Sequence, residues 1–218
     1  MSLFAQAGIR HYERTTEPTV DPITVDEVKS AGRIDHENED GLLAMYITAA
    51  VGVCEQYLGR SLMNQTWTLY MDQWPTGDEP WWDGAVVASE TILNSQADEI
   101  DLPYGPLQSV TSISVFDTAD TETAVSSDVY GVSTGKVSRV YLKDGQVWPS
   151  ATRTRDGVKV VYVAGYGSDF NDVPMAIRQG LLQLCVHWYE NREASIDMSV
   201  NKVPNMIRKL WSPHKAIR

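Results

Sequence analysis

Apolar residues recur every three or four positions in two separate stretches of the chain, which is the period of an amphipathic helix. The first stretch predicts a helix over residues 39–58, followed by Gly59, where a left-handed residue commonly ends a helix. The second predicts a helix over residues 174–191, with Pro174 in its first turn. The predicted inner faces are Leu42, Leu43, Tyr46, Ile47, Ala50, Val53, Cys54, Tyr57 and Leu58, then Ile177, Leu181, Leu184, Cys185 and Trp188.

A shorter helical signal precedes the first long helix. Thr24 and Glu27 have the spacing of a capping box, in which each side chain accepts a hydrogen bond from the other residue's backbone N–H. They predict a short helix that ends at Gly32. Residues 1–22 show no helical period and contain two prolines, so we predict an extended arm there.

Between the two long helices the period of the pattern changes to two, which is the period of a strand. Residues 65–71 alternate between two faces, and further strands are predicted at residues 99–102, 110–116, 129–132, 139–142 and 158–163. Residues typical of turns separate these segments. Several short strands without a helical signal predict an antiparallel β module.

Together these elements predict an α+β fold. It consists of a small helical bundle with an inserted antiparallel β module and extended N- and C-terminal arms, because the two long helices most simply pack on each other. The predicted division is an extended arm at 1–22, the helical bundle at 23–64 and 172–199, the inserted β module at 65–171 and a basic C-terminal arm at 200–218.

Charge is unevenly distributed along the 218 residues. The formal net charge is −11, but residues 173–218 hold seven Lys or Arg and three Asp or Glu, so they carry +4 and residues 1–172 carry −15. An acidic body argues against a generic nucleic-acid binder. The apolar runs fall short of the ~20 residues of a membrane helix, and we expect no secretory signal. Two cysteines without a disulfide framework fit a reducing compartment.

Candidates for catalytic or metal chemistry are few. Cys185 and His187 are two positions apart on a predicted helix, so they lie on different faces. The Gly-Tyr-Gly sequence at residues 165–167 lacks the third glycine and the βαβ setting of a dinucleotide site, and is interpreted as a turn. A carboxylate cluster is interpreted as a solvated strand edge, although such a cluster can also act in acid–base chemistry or bind a hard cation: Asp98, Glu99 and Asp101. We predict no enzyme activity, no cofactor and no metal site.

The loop after the first inserted strand contains three tryptophans, Trp74, Trp81 and Trp82. Tryptophan is enriched at subunit contacts, and this is the favoured interpretation. Stacking on sugars or bases stays open.

The last stretch, residues 200–218, has cations and no carboxylate. Its apolar residues predict one short amphipathic helix between Pro204 and Pro213, too short to be stable alone in water. The helix either packs on its own subunit or becomes ordered on a partner, with Trp211 as the apolar anchor. The candidate residues for a contact with such a partner or a neighbouring subunit are Lys202, Met206, Ile207, Arg208, Lys209, Leu210, Trp211, Lys215 and Arg218.

Eight short segments, taken in order, resemble the head–tail connector (adaptor) family of tailed bacteriophages and related gene-transfer particles. They are ITVDEVK at 23–29, DGLL at 40–43, EQYLGRSL at 55–62, WTLYMD at 67–72, PLQSVTSI at 106–113, AGYG at 164–167, VPMAIRQG at 173–180 and HWYENRE at 187–193. Each segment is short, and the ordered set carries the resemblance.

The resemblance implies a non-enzymatic structural protein of the virion neck, made in the cytoplasm of a bacterial host. It implies a ring of copies, typically twelvefold, bound to the portal protein and presenting a platform to the next neck or tail-completion protein. DNA would pass through the ring without specific binding, and no membrane would be involved.

Two other functions stay open. A carbohydrate-binding or hydrolytic tail-associated β module would place Trp81 and Trp82 in a concave site near carboxylates. A DNA-contacting packaging protein would bind duplex DNA with a steep salt dependence through Lys202, Arg208 and Lys209.

Overall fold

A computed structural model of the chain describes residues 10–75, 99–134, 138–191 and 203–216. The chain forms two compact units, a β unit (Met1–Glu17 with Gln65–Ala164) and a helical unit (Pro18–Asn64 with Gly165–Arg218). In its described residues the helical unit contains α1 (Val25–Gly32), α2 (Asp40–Leu58), α3 (Met175–Glu190) and α4 (Asn205–Trp211). Short 3₁₀ turns lie at Phe170–Asp172 and Ser212–His214.

Local chemistry sets the ends of α1 and α2. The Glu27 N–H donates to Thr24 Oγ1 at 3.2 Å and the Thr24 N–H donates to Glu27 Oε2 at 2.9 Å, which is the capping box that the sequence predicts. The left-handed residue that ends α1 is Arg33 (φ 54°), one position after the predicted Gly32. The left-handed residue after α2 is Gly59 (φ 64°), as predicted.

The core of the helical unit lies between α2 and α3, which pack antiparallel. Tyr189 in the last turn of α3 donates from its hydroxyl to Glu39 Oε2 at 2.6 Å, just before α2 begins. By length and composition, α2 is the one helix in the described ranges that could cross a membrane, and its buried face packs in this core. The buried cluster includes Val28, Leu43, Ile47, Ala50, Cys54, Leu58, Ile177, Leu181, Leu184, Cys185, Ile207 and Trp211.

The β unit contains two antiparallel sheets in its described residues. The five-stranded sheet has the order β1 (Arg10–Thr16), β2 (Gln65–Met71), β8 (Val158–Ala164), β4 (Leu107–Phe116) and β5 (Glu122–Ala124). The three-stranded sheet has the order β3 (Glu99–Asp101), β7 (Arg139–Leu142) and β6 (Tyr130–Ser133). Every second residue of β8 is buried, from Val158 to Ala164, as the period of two predicts.

Two strands differ from the sequence predictions. Part of the predicted N-terminal arm forms β1, an edge strand that pairs with β2, with Arg10 opposite Met71 and Arg14 opposite Trp67. The other unpredicted strand is β5. Every residue of both strands is exposed, so neither carries the apolar alternation that identifies a strand in a sequence. Residues 1–9 lie outside the described part of the chain.

Candidate assembly surface

The C-terminal helix α4 turns its largest apolar side chains inward. Trp211 is fully buried and Ile207 is 2% exposed. The Trp211 Nε1–H donates to the carbonyl oxygen of Ile177 in α3 at 3.2 Å. Gly180 makes room for the indole, because a Cβ at this position would overlap the ring. Of the two interpretations of this helix, packing on its own subunit is the one that the structure has, and the predicted contact residues Trp211 and Ile207 are buried in the core of the helical unit.

The other predicted contact residues on α4 are exposed or half-buried. Met206 is 72% exposed, Arg208 and Lys209 are exposed, and Leu210 is half-buried. Burial of Trp211 and Ile207 fixes which side of α4 faces outward, so this exposed surface is a consequence of core packing. The predicted contact residues Lys202 and Arg218 lie outside the described residues.

The segment after α4 lies against the last turn of α2. The Ala216 N–H donates to the Leu58 carbonyl oxygen at 2.8 Å, and Lys215 Nζ lies 5.4 Å from the centroid of the Tyr57 ring. Cations are favoured at this end of a helix, and the last turn of α2 has none of its own. We term the three exposed cations Arg208, Lys209 and Lys215 the basic patch.

The exposed carboxylates at the other end of α2 form an acidic patch, defined as Asp35, Glu37 and Glu190. Tyr189 connects the end of α3 to the loop before α2, because its hydroxyl oxygen is 2.6 Å from Glu39 Oε2 and 3.4 Å from His36 Nε2. The 19 residues of α2 separate the acidic patch from the basic patch by roughly 28 Å along the helix axis.

Charges in the two patches have no ion-pair partner of opposite sign in the described ranges. A neighbouring carboxylate behaves differently. Lys29 Nζ lies 2.9 Å from Asp40 Oδ1, and this hydrogen bond raises the pKa of Lys29. Glu37 also attracts Lys29 but forms no salt bridge with it, so the patches present exposed charges to another molecule, whereas Asp40 is already paired.

A cleft of about 240 Å³ opens between α1 and α3. Its volume lies below the roughly 300–1,000 Å³ of pockets for drug-sized ligands, so it suits a single side chain better. The α3 residues recur at three- and four-residue steps and therefore form one helix face, which ends at Glu190 of the acidic patch. The lining residues are Ala31, Gln179, Leu182, Gln183, Val186, His187 and Glu190.

One buried charge was not predicted. Arg178 in α3 is 5% exposed, and its Nε–H donates to the Pro22 carbonyl oxygen at 3.0 Å. Its Nη2–H donates to Glu27 Oε1, and its guanidinium lies 4.9 Å from the centroid of the Phe170 ring. These contacts hold the segment before α1 against α3. An arginine does not contribute to an apolar period, so this site has no local signal in the sequence.

The two cysteines are core residues of the helical unit. Cys54 and Cys185 are buried and free of disulfides. Burial raises the pKa of both thiols, that of Cys185 to about 12, so neither is a ready thiolate nucleophile at neutral pH. Within the described residues, no group of three His, Cys, Asp or Glu could hold a metal ion.

The Gly-Tyr-Gly segment at residues 165–167 is a structural turn. The Tyr166 N–H donates to the Leu62 carbonyl oxygen, and the Asn64 N–H donates to the Gly167 carbonyl oxygen, both at 3.0 Å. The backbone of Gly165 (φ 148°) lies so close to Met63 that a Cβ would overlap it. These contacts join the two chain segments of the helical unit.

The acidic cluster at β3 is an ion-paired strand. Arg139 in β7 lies 2.6 Å from Glu99 and 3.7 Å from Asp101 between side-chain nitrogen and oxygen atoms. Asp98 lies outside the described residues. The predicted solvated edge is thus stabilised across the sheet by one arginine.

Trp74 packs within its own β unit. Its ring stacks on Trp148 with centroids 4.3 Å apart, and its Nε1–H donates to the Pro149 carbonyl oxygen at 2.6 Å. The side chain predicted as a possible subunit contact therefore already has partners within the subunit. Trp81 and Trp82 lie outside the described residues.

Comparison with known proteins places these features in a family. The model of the family described as "Head completion protein" matches residues 22–216. No curated protein sequence matches the chain.

Solved structures share the fold. A chain in the neck of an empty gene transfer agent (GTA) particle, computed with C6 symmetry, aligns with a TM-score of 0.74 at 20% identity, covering 95% of this chain and 96% of that one. A chain in the virion of a native GTA particle aligns with a TM-score of 0.72 at 20% identity and the same coverage. A chain in the neck of a native GTA particle, computed with C12 symmetry, aligns with a TM-score of 0.63 at 18% identity, covering 94% and 96%.

Proposed function

Because this chain belongs to the head completion protein family, we propose that it is a non-enzymatic structural protein of the virion neck, present as a ring between the portal and the next neck or tail-completion protein. The observation that carries this proposal is the alignment of 95% of the chain with a neck chain of a GTA particle. The family match over residues 22–216, which is a match of sequence, supports the same function.

The proposed ring has twelve copies. Support comes from the matching neck chain of a native GTA particle whose structure was computed with C12 symmetry. The exposed, unpaired charges of both signs in the helical unit support contacts with further copies or with the portal, because a surface charge without a partner in its own subunit can pair across an interface.

The proposed ring surrounds DNA without holding it. Each copy has a formal net charge of −11, so a ring of copies presents an acidic body to the phosphate backbone. Like charges repel, and the release of counterions that drives nonspecific DNA binding needs a cationic surface. A channel of this charge lets duplex DNA slide through it.

The test is electron microscopy of the purified full-length chain mixed with the portal of its own particle. We expect a ring of this chain seated on the portal. Portal rings that stay bare at all protein concentrations contradict the proposal. A parallel titration with duplex DNA at physiological salt separates the packaging function, since micromolar or tighter binding by the free chain favours that function instead.

A further inference from the structure

We propose that neighbouring copies join head to tail through their helical units, with Met206 of one copy entering the cleft between α1 and α3 of the next. The basic patch of the first copy then faces the acidic patch of the second. This inference rests on the proposed function, since it assigns the contact by which copies of the ring meet.

The inserting surface is rigid at its base and apolar at its tip. Met206 is 72% exposed on α4, a helix that Trp211 fixes to α3 through burial and a hydrogen bond. Met206 lies next to Arg208 and Lys209 on this helix, so an apolar side chain and cations are presented together. Methionine is unbranched and flexible, and can therefore adapt to a cleft of irregular shape.

The receiving surface has a matching size and chemistry. Leu182 and Val186 of α3 and Ala31 of α1 supply apolar lining to a cleft of about 240 Å³, which suits one side chain. Glu190 lies at one end of this lining and belongs to the acidic patch. A methionine flanked by cations therefore fits a cleft that has an apolar lining and a carboxylate at its rim.

Charge selects a second copy as the occupant. Copies with a net charge of −11 repel each other unless the surfaces that meet have opposite signs. The helical unit carries both signs at separate places, the basic patch beside the end of α2 and the acidic patch beside its start. Complementary charges at an interface fix its register and suppress wrong pairings.

The two surfaces also suit a ring. Met206 and the cleft are different parts of one subunit, so a contact between them is heterologous, and heterologous contacts close into rings when the rotation allows. Each copy in such a ring uses its cleft for one neighbour and its Met206 for the other.

Cysteine cross-linking tests the contact in the full-length chain. The native thiols Cys54 and Cys185 are buried and should stay unreactive in the folded chain. We expect mild oxidation of rings that carry Met206→Cys together with Gln183→Cys to give a covalent ladder of copies. Each single variant should give no ladder. The matched control is Met175→Cys with Gln183→Cys, because Met175 is similarly exposed at 68% but lies outside the proposed contact.

Charge reversal gives an independent measurement. We expect Lys209→Glu to raise the concentration for half-maximal ring assembly about tenfold or more, as for a central interface residue. Addition of Glu190→Lys to the same chain should restore assembly, because positions 209 and 190 then carry opposite charges again. Arg155→Glu, an equal charge change on an exposed residue of the β unit, should leave assembly unchanged.

Each outcome decides between the two proposals. Two results overturn this inference and leave the neck function intact. One is normal rings of the Met206→Cys, Gln183→Cys chain that give no covalent ladder, and the other is unchanged ring assembly of the Lys209→Glu chain. Cross-linked dimers alone indicate a twofold contact, and cross-links to the portal indicate a different occupant, so both results also overturn it. A wild-type chain that forms no ring, alone or on the portal, overturns the proposed function as well.

Discussion

Replacement of Trp211 by alanine tests whether α4 belongs to the core of its own subunit. In the structure the indole is fully buried, lies against Gly180 and donates a hydrogen bond to Ile177. Alanine removes the ring and leaves a cavity between α4 and α3. If α4 instead became ordered only on a partner, the free protein would not register this loss.

The expected loss of stability follows from the buried area. A buried tryptophan removes about 150–250 Å² from water, which at about 25 cal/mol per Å² corresponds to roughly 4–6 kcal/mol. Alanine keeps a small part of that area, and measured Trp→Ala changes in cores cost about 3–5 kcal/mol. We therefore expect Trp211→Ala to lower the free energy of unfolding of the helical unit by about 3–5 kcal/mol.

Urea unfolding followed by far-ultraviolet circular dichroism measures this change, at a protein concentration where the chain is monomeric. Met206→Ala is the matched control, because Met206 lies on the same helix and is 72% exposed, and its effect should stay within about 0.5 kcal/mol. Equal midpoints for the two variants would refute the packing of α4 on α3. Rapid amide exchange throughout α4 in the free wild-type chain would refute it too.

Three further predictions follow from the same contacts. A Gly→Ala change stabilises an ordinary exposed helix by up to about 1 kcal/mol. Gly180→Ala should instead destabilise the helical unit by about 1–3 kcal/mol, because the new Cβ overlaps the Trp211 ring. A stabilised variant in urea melts would contradict that geometry. Glu27→Gln keeps the side-chain length but removes the charge facing Arg178, so it should cost about 1.5–3 kcal/mol, whereas exposed Asp26→Asn should change little in the same melts. Residues 18–64 joined to residues 165–218 by a short linker should unfold cooperatively on heating, as followed by helical circular dichroism, since Met63 and Gly167 already pair across the junction. Loss of the helical signal would show that the helical unit needs the β unit.

The periods of the sequence identified most of the fold. The period of three to four located α2 and α3, and the period of two located β2 and the five strands at β3, β4, β6, β7 and β8. The capping residues Thr24 and Glu27 fixed the start of α1. The α+β class and the connector family, which the sequence suggested, are confirmed by the described elements and by the family match. These signals are local, so one sequence contains them in full.

The missed elements have no local signal. All seven residues of β1 are exposed, so its strand conformation depends on the hydrogen bonds offered by the edge of β2, whose paired residues lie 50–61 positions later in the chain. Arg178 is buried against Glu27 and Pro22, which lie more than 150 positions earlier in the chain, and against the nearby Phe170 ring. Neither arrangement can be deduced from a period, because the stabilising partner is supplied by the tertiary fold.

The apolar side chains of α4 differ in burial, so only some of them can contact a partner. The sequence grouped Met206, Ile207, Leu210 and Trp211 as one apolar face available to a partner. In the structure Ile207 and Trp211, four positions apart, cover α3, whereas Met206 is rotated away from them. Such side chains pack more readily in the core of their own subunit than on a partner. Packing within one chain does not cost the translational and rotational entropy that is lost when two molecules associate. We therefore propose that a partner contacts only the apolar residue outside the buried pair and the cations beside it, which in this chain are Met206, Arg208 and Lys209.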